Sequence, residues 1–266
     1  MLLGFGCSDP PTHPPLVDPC AGTACPLLGG IGQGSSRAGA GGSGAGVGGG
    51  ANGGSVNNGT LRGSVVDLVD DTFRTTIART DGAIIEAQGS SQPIVSAEWN
   101  GIDPFMLSGL QTALSITWIS VRPKNGNASI RTITPISTGL AAELSLPLVQ
   151  TDVIDAMFQS LSTPTTRTSG AGHLVVSFVS SRTGGGIAGV RVTAGSAAVV
   201  AYRLGGAWST DATQTDSSGL VLVGNLSASA FPGTSVTLTL SGVVSTALSF
   251  AVASDAVTVP EVALSI

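Results

Sequence analysis

The chain has 266 residues, of which 42% are hydrophobic and only 10% charged, and its formal net charge is −5. Eleven Lys and Arg against sixteen Asp and Glu exclude the basic field that a nucleic-acid binder needs. Two histidines, His13 and His173, leave histidine-based metal chemistry almost without material, and no apolar run nears the roughly 18 residues of a membrane span.

In chain order, the first 60 residues read as an anchor region and a linker. All three cysteines, Cys7, Cys20 and Cys25, lie there, so no disulfide framework holds the rest of the chain. Cys20 and Cys25 either close a small disulfide loop or remain free thiols; a metal site is disfavoured because a second ligand pair is missing. The opening Met1-Leu-Leu-Gly-Phe-Gly-Cys7 resembles the end of a bacterial lipoprotein signal peptide, which implies lipid attachment at Cys7 and a membrane as partner. The usual leucine stands one position further out, at Leu3, and the charged n-region is absent, as a start codon assigned too far downstream would produce. Pro10, Pro11, Pro14, Pro15 and Pro19 lead into residues 29–54, more than half of them glycine. Such a composition buries too little apolar surface to offset chain entropy, so a disordered tether is expected. The run Gly44–Gly50 has neither the flanking strand and helix nor the lysine of a phosphate loop.

From Leu61 the texture changes to short β-branched and aromatic segments: Leu61–Leu68, Ile84–Ala87, Ile94–Trp99 and Ser115–Val121. Alternation of this kind predicts half-buried strands, and Asn100-Gly101 predicts a turn. Residues 61–149 form a first β-sandwich on this reading, with Trp118 in its core. Residues 150–169 break the pattern. Val153, Ile154, Met157, Phe158 and Leu161 recur at helical spacing behind Thr151 and Asp152, which predicts one short helix and a polar linker. Residues 170–266 supply about seven further strands, from His173–Val179 to Val257–Leu264, the size of one immunoglobulin-like sandwich. Gly101 to Leu110 and Gly219 to Leu226 repeat one order of turn glycine, short apolar strand, Gly and Leu. The fold class expected is all-β: tandem immunoglobulin-like or transthyretin-like sandwiches with one connecting helix and a disordered N-terminal tether.

In the second block, Gly189-Val-Arg-Val-Thr193 and Thr215-Asp-Ser-Ser-Gly219 followed by an apolar strand to Leu226 resemble the carboxypeptidase regulatory-like (transthyretin-like) β-sandwich. The first block departs from it, reading Glu98-Trp-Asn-Gly101 at the turn. Cysteine, Pro/Gly tether and two sandwiches together are similar to predicted surface lipoproteins of gliding Gram-negative bacteria. The resemblance implies structural support or weak ligand binding, outside the cytoplasm, at the outer membrane or cell surface.

Chemical readings compete poorly here. Asp216 belongs to its turn, where an Asx side chain bonds backbone amides two residues on. Asp70-Asp71 and Asp152/Asp155 lack the ladder of oxygens that calcium needs. His173 has no Gly-x-Ser-x-Gly elbow to serve, and the four glutamates, Glu86, Glu98, Glu143 and Glu261, are scattered. No catalytic residue, metal ligand or cofactor is therefore assigned. Tyr202 and Trp208 around Arg203–Ala207, with Trp99 beside its turn, are the possible ligand platform, since exposed aromatic faces bind sugars. The sequence thus points to a non-enzymatic surface lipoprotein displaying two sandwiches. The alternative is a carbohydrate-binding module of the cell envelope or an accessory domain of an extracellular enzyme system.

Overall fold

The computed structural model describes residues 58–88, 94–111, 116–126, 128–137, 143–195 and 199–266; Cys7, Cys20, Cys25 and nearly all of the expected tether lie outside them. In the first block the strands are β1 (Asn58–Leu68), β2 (Thr76–Ala78), β3 (Ala83–Gln88), β4 (Val95–Trp99), β5 (Phe105–Gln111), β6 (Ile116–Pro123), β7 (Ser129–Ser137) and β8 (Leu144–Gln150). They stack in two layers, β8-β1-β5 against β7-β6-β3-β4. Between the layers lie Leu61, Val65, Ile85, Trp99, Phe105, Ile119 and Leu146, each the inward residue of a two-residue repeat. Most of β1 runs parallel to β8, from Gly63↔Leu144 to Leu68↔Val149.

α1 (Thr151–Gln159) follows directly. Its first-turn Asp152 accepts the Val153 N–H at 2.9 Å, and Val153, Ile154, Met157 and Phe158 are buried. The second block comprises β9 (Ala171–Ser180), β10 (Val190–Ala194), β11 (Val199–Leu204), β12 (Ala207–Ser209), β13 (Leu220–Ser227), β14 (Thr234–Gly242), β15 (Thr246–Val252), β16 (Ala256–Thr258) and β17 (Glu261–Leu264). The single strand expected over Val257–Leu264 is interrupted by Val259-Pro260, since proline offers no N–H to a ladder.

A sheet ordered β12-β11-β13-β9-β16 faces a smaller one, β10-β14-β15, across a core of Val176, Phe178, Val192, Val223, Leu238 and Phe250. The other face of the larger sheet is covered too. Val175, Trp208, Leu220 and Leu222 pack there against α1 and against Leu68, Phe73, Ile130 and Val149 of the first block. Burial on both faces explains why β9 and β13 are apolar runs rather than alternations. Gly224 leaves room for the helix: a Cβ there would stand 2.6 Å from the Phe158 ring.

The two blocks share one sheet. β16 lies between β7 and β9, parallel to both, with Val257 opposite Thr132 on one side and His173 on the other. Its three residues are fully buried. The fold is all-β, of β-sandwich type, with one helix among the described residues. The helix does more than connect: it forms a third layer. The expected polar linker behind it is tied down as well, because Thr168 N–H donates to Asn225 Oδ1 at 2.9 Å and Gly170 N–H to Asp255 Oδ1 at 2.7 Å.

Candidate functional site

The expected aromatic platform is not a surface. Trp99, Tyr202 and Trp208 are only 3%, 4% and 2% exposed. Their polar atoms are also spent inside the protein. Trp99 Nε1 donates to the Asp103 carbonyl, and Trp208 Nε1 donates to Asp71 Oδ2 at 3.1 Å. The Tyr202 hydroxyl accepts from Val192 N–H at 2.9 Å and donates to the Val192 carbonyl. A buried aromatic with a polar end needs such a partner, so these three rings are core residues and offer no face to a sugar. Trp118 corrects the reading in the other direction. Because Ile119 and Val121 of β6 point inward, Trp118 points out, and it is half-buried rather than core.

The acids weighed as cation ligands serve turns and the seam. Asp70 Oδ1 accepts from the amide and hydroxyl of Thr72. Asp71 receives Arg203 Nε and Nη2, both at 3.2 Å, besides Trp208. Asp155 pairs with Arg167 at 2.8 Å. Asp216 takes Ser218 N–H and Gly205 N–H, both at 2.8 Å, beside Gly219 at φ 70°, which is the turn geometry read from the sequence. These bonds hold its carboxyl below the ordinary value although partial burial works the other way. A grouping of three or more His, Cys, Asp or Glu fit for a metal is absent among the described residues.

His173 is buried in β9. Its Nδ1 accepts the Asn225 N–H at 3.2 Å, which places the proton of the neutral ring on Nε2, and the ring meets Phe158 edge-on at 5.2 Å. Desolvation, with Arg167 nearby, lowers its pKa to about 4. Among the described residues no hydroxyl is hydrogen-bonded to it.

What remains partly open is one face of the shared sheet. Ile133, Thr258 and Leu174 are in register across β7, β16 and β9, so they share the face on which β10-β14-β15 sits. Over the first block that face is only partly covered: Ser120, Ile133 and Pro135 are buried and Arg131 stacks with the Phe231 ring at 5.6 Å, while Glu86, Trp118 and Arg122 are half-buried or more exposed. Arg131 Nη1 donates to Glu86 Oε2 at 2.6 Å and to Ser120 Oγ at 2.9 Å. Arg122 Nε lies 3.7 Å from the same carboxylate oxygen without hydrogen-bonding it. Where this floor meets β15, a cavity of about 160 Å3 is lined by Trp118, Pro135, Ala247, Leu248, Ser249, Phe250 and Val262. Sequence could place Trp118 and β15 on strands, but nothing local in it brings together residues 130 positions apart.

No protein-family model matches the chain, and a search of curated proteins finds no match. Among solved structures it is similar to the shaft pilin SpaA of Lactobacillus rhamnosus GG. That match has 12% identity and a TM-score of 0.24, covering 79% of this chain and 99% of the pilin. A Streptococcal ancillary pilin is similar at 10% identity and TM-score 0.23, over 77% of this chain and 69% of the other. Likeness at this level carries neither fold nor function. The fold itself defines the class: an all-β sandwich protein whose two blocks are joined through a shared sheet. Among the described residues no helix is long and apolar enough to cross a membrane.

Proposed function

We propose that the protein is a non-enzymatic structural module of the cell surface, a stiff two-block β-unit held outside the cytoplasm by a lipid on Cys7. The observation that carries this reading is the seam. β16 is hydrogen-bonded into both blocks, and one apolar cluster draws Leu68, Phe73, Ile130 and Val149 from the first block and Trp208, Leu220 and Leu222 from the second. Hinged domains meet through small polar interfaces; a shared sheet and core make a body that transmits load. The acids and the histidine that chemistry would need are engaged in turns, ion pairs and the core. In this reading the second block is of the carboxypeptidase regulatory-like kind, its Thr215–Gly219 turn being the matching element, and the outer membrane of a Gram-negative cell is the site of display. Envelope polysaccharide or other surface proteins are the partners.

The test is made in a bacterial cell expressing the full chain. Labelled palmitate should enter the wild-type protein and not Cys7→Ser, and protease added to intact cells should remove the wild-type protein. Equal partitioning of the two forms, or protection of both from the protease, contradicts anchorage and display.

A further inference from the structure

We propose that the angle between the partly covered face of β6 and β7, at Trp118 and Arg122, and the edge strand β15 is a docking site for a partner protein's extended segment. That segment is apolar at alternate positions and carries one carboxylate. Three observations converge on it. The first is a free hydrogen-bonding edge. Ala251 turns its carbonyl away from β14, since it accepts from Thr258 Oγ1 at 2.6 Å. By the two-residue alternation of a strand, Ser249 and Ala247 point their N–H and C=O groups the same way. Among the described residues β15 pairs only with β14, so these groups are unused. Edge strands are ordinarily blunted by charge or proline; Thr246-Ala-Leu-Ser-Phe-Ala-Val252 has neither.

The second is the cavity beside that edge. Its volume of about 160 Å3 and its lining of Trp118, Pro135, Leu248, Phe250 and Val262 suit one aromatic or branched aliphatic side chain, since an apolar cavity near 150 Å3 accepts benzene. The third is charge. Glu86 is shared by Arg122 and Arg131, which leaves one positive charge in excess on this floor of a chain whose net charge is −5. Arg122 is 39% exposed and lies four residues from Trp118 along β6, about 13 Å. A strand added to β15 therefore gains main-chain hydrogen bonds from the edge, an anchor in the cavity and a carboxylate partner, the mode by which sheet edges recognise peptides.

The experiment uses the full chain and a fluorescein-labelled nine-residue peptide of alternating threonine and valine, with a leucine anchor and an aspartate four residues beyond it. The expected result is saturable one-to-one binding by anisotropy. Ser249→Pro, which removes an N–H that no strand uses, should weaken binding at least tenfold at an unchanged melting temperature. Arg122→Glu should weaken it at least fivefold for this peptide and leave the asparagine counterpart unaffected. A peptide N-methylated at alternate residues probes the edge without altering the protein and should bind at least tenfold more weakly. Absence of saturable binding at millimolar peptide, or equal binding of the N-methylated peptide, overturns the proposal. So does a dimer in sedimentation that Ser249→Pro dissolves, because the occupant would then be a second copy of the chain.

Discussion

Asp71 and Trp208 stand 137 positions apart in sequence and meet in a hydrogen bond of 3.1 Å. The aspartate belongs to the loop between β1 and β2, the tryptophan to β12 at the far edge of the second block, and Arg203 closes the same contact from β11. Asp71→Ala leaves the indole N–H and a guanidinium facing a site with no acceptor, at a cost of about 1–3 kcal/mol. The loss should appear as a lower urea midpoint at unchanged m-value. Asp71→Asn, which keeps an acceptor, should lose less.

A second ion pair is sheltered further. Arg79 Nη1 donates to Asp67 Oδ1 at 2.7 Å with side chains only 6% and 12% exposed, and its Nε donates to the Asp81 carbonyl. Removing one member of a buried pair strands the other charge, so Asp67→Ala should cost about 3–5 kcal/mol. The exposed pair between Arg62 and Glu143 is the control: Glu143→Ala should change the unfolding free energy by no more than about 1 kcal/mol.

These positions show how much the sequence made legible. Alternation revealed β1, β3, β4, β6 and the one-sided strands of the second block, because one face of each is apolar, while β9 and β13 stood out as continuous apolar runs. The helical spacing of Val153, Ile154, Met157 and Phe158 revealed α1. β7 and β8 escaped notice because Pro135 and Pro147 sit inside them; Pro147 lies in the register of β8 with β1, and Pro135 stands opposite Trp118. The Gly-Leu signals common to both blocks mark bulges, at Gly109 in β5 and at Gly224-Asn225 in β13. The aromatic platform failed for a different reason. A ring near a turn is buried or exposed according to which layer closes over it, and α1 with the β1–β2 loop closes over Trp208.

Trp118 is the only tryptophan of the three that is not fully buried. Acrylamide should therefore quench a minor, red-shifted part of the native emission, and Trp118→Phe should remove that part while leaving the blue-shifted emission of Trp99 and Trp208. Uniform quenching of all three would contradict the packing described for Trp99 and Trp208.

His173 gives the fold a pH dependence whose sign is fixed by its burial. Desolvation lowers its pKa from 6.5 to about 4, and Arg167 adds to this while Asp255 and Asp155 oppose it. Between those values the unfolded chain binds a proton that the folded chain refuses, so stability is full above pH 6.5 and falls as the pH drops toward 4. The group should contribute a loss of about 2 kcal/mol between pH 7 and pH 5. Unfolding titrations at the two pH values measure it, and His173→Gln, which keeps an acceptor for the Asn225 amide, should flatten the slope.

The seam itself is tested most directly by pulling single molecules between residue 58 and the C-terminus. If β16 and the shared core make one mechanical body, extension should release the folded chain in one step of roughly 70 nm, at up to 3.6 Å per residue. Two independent steps, each of roughly 30–35 nm and insensitive to Asp71→Ala, would show that the blocks bear load separately and would contradict the account.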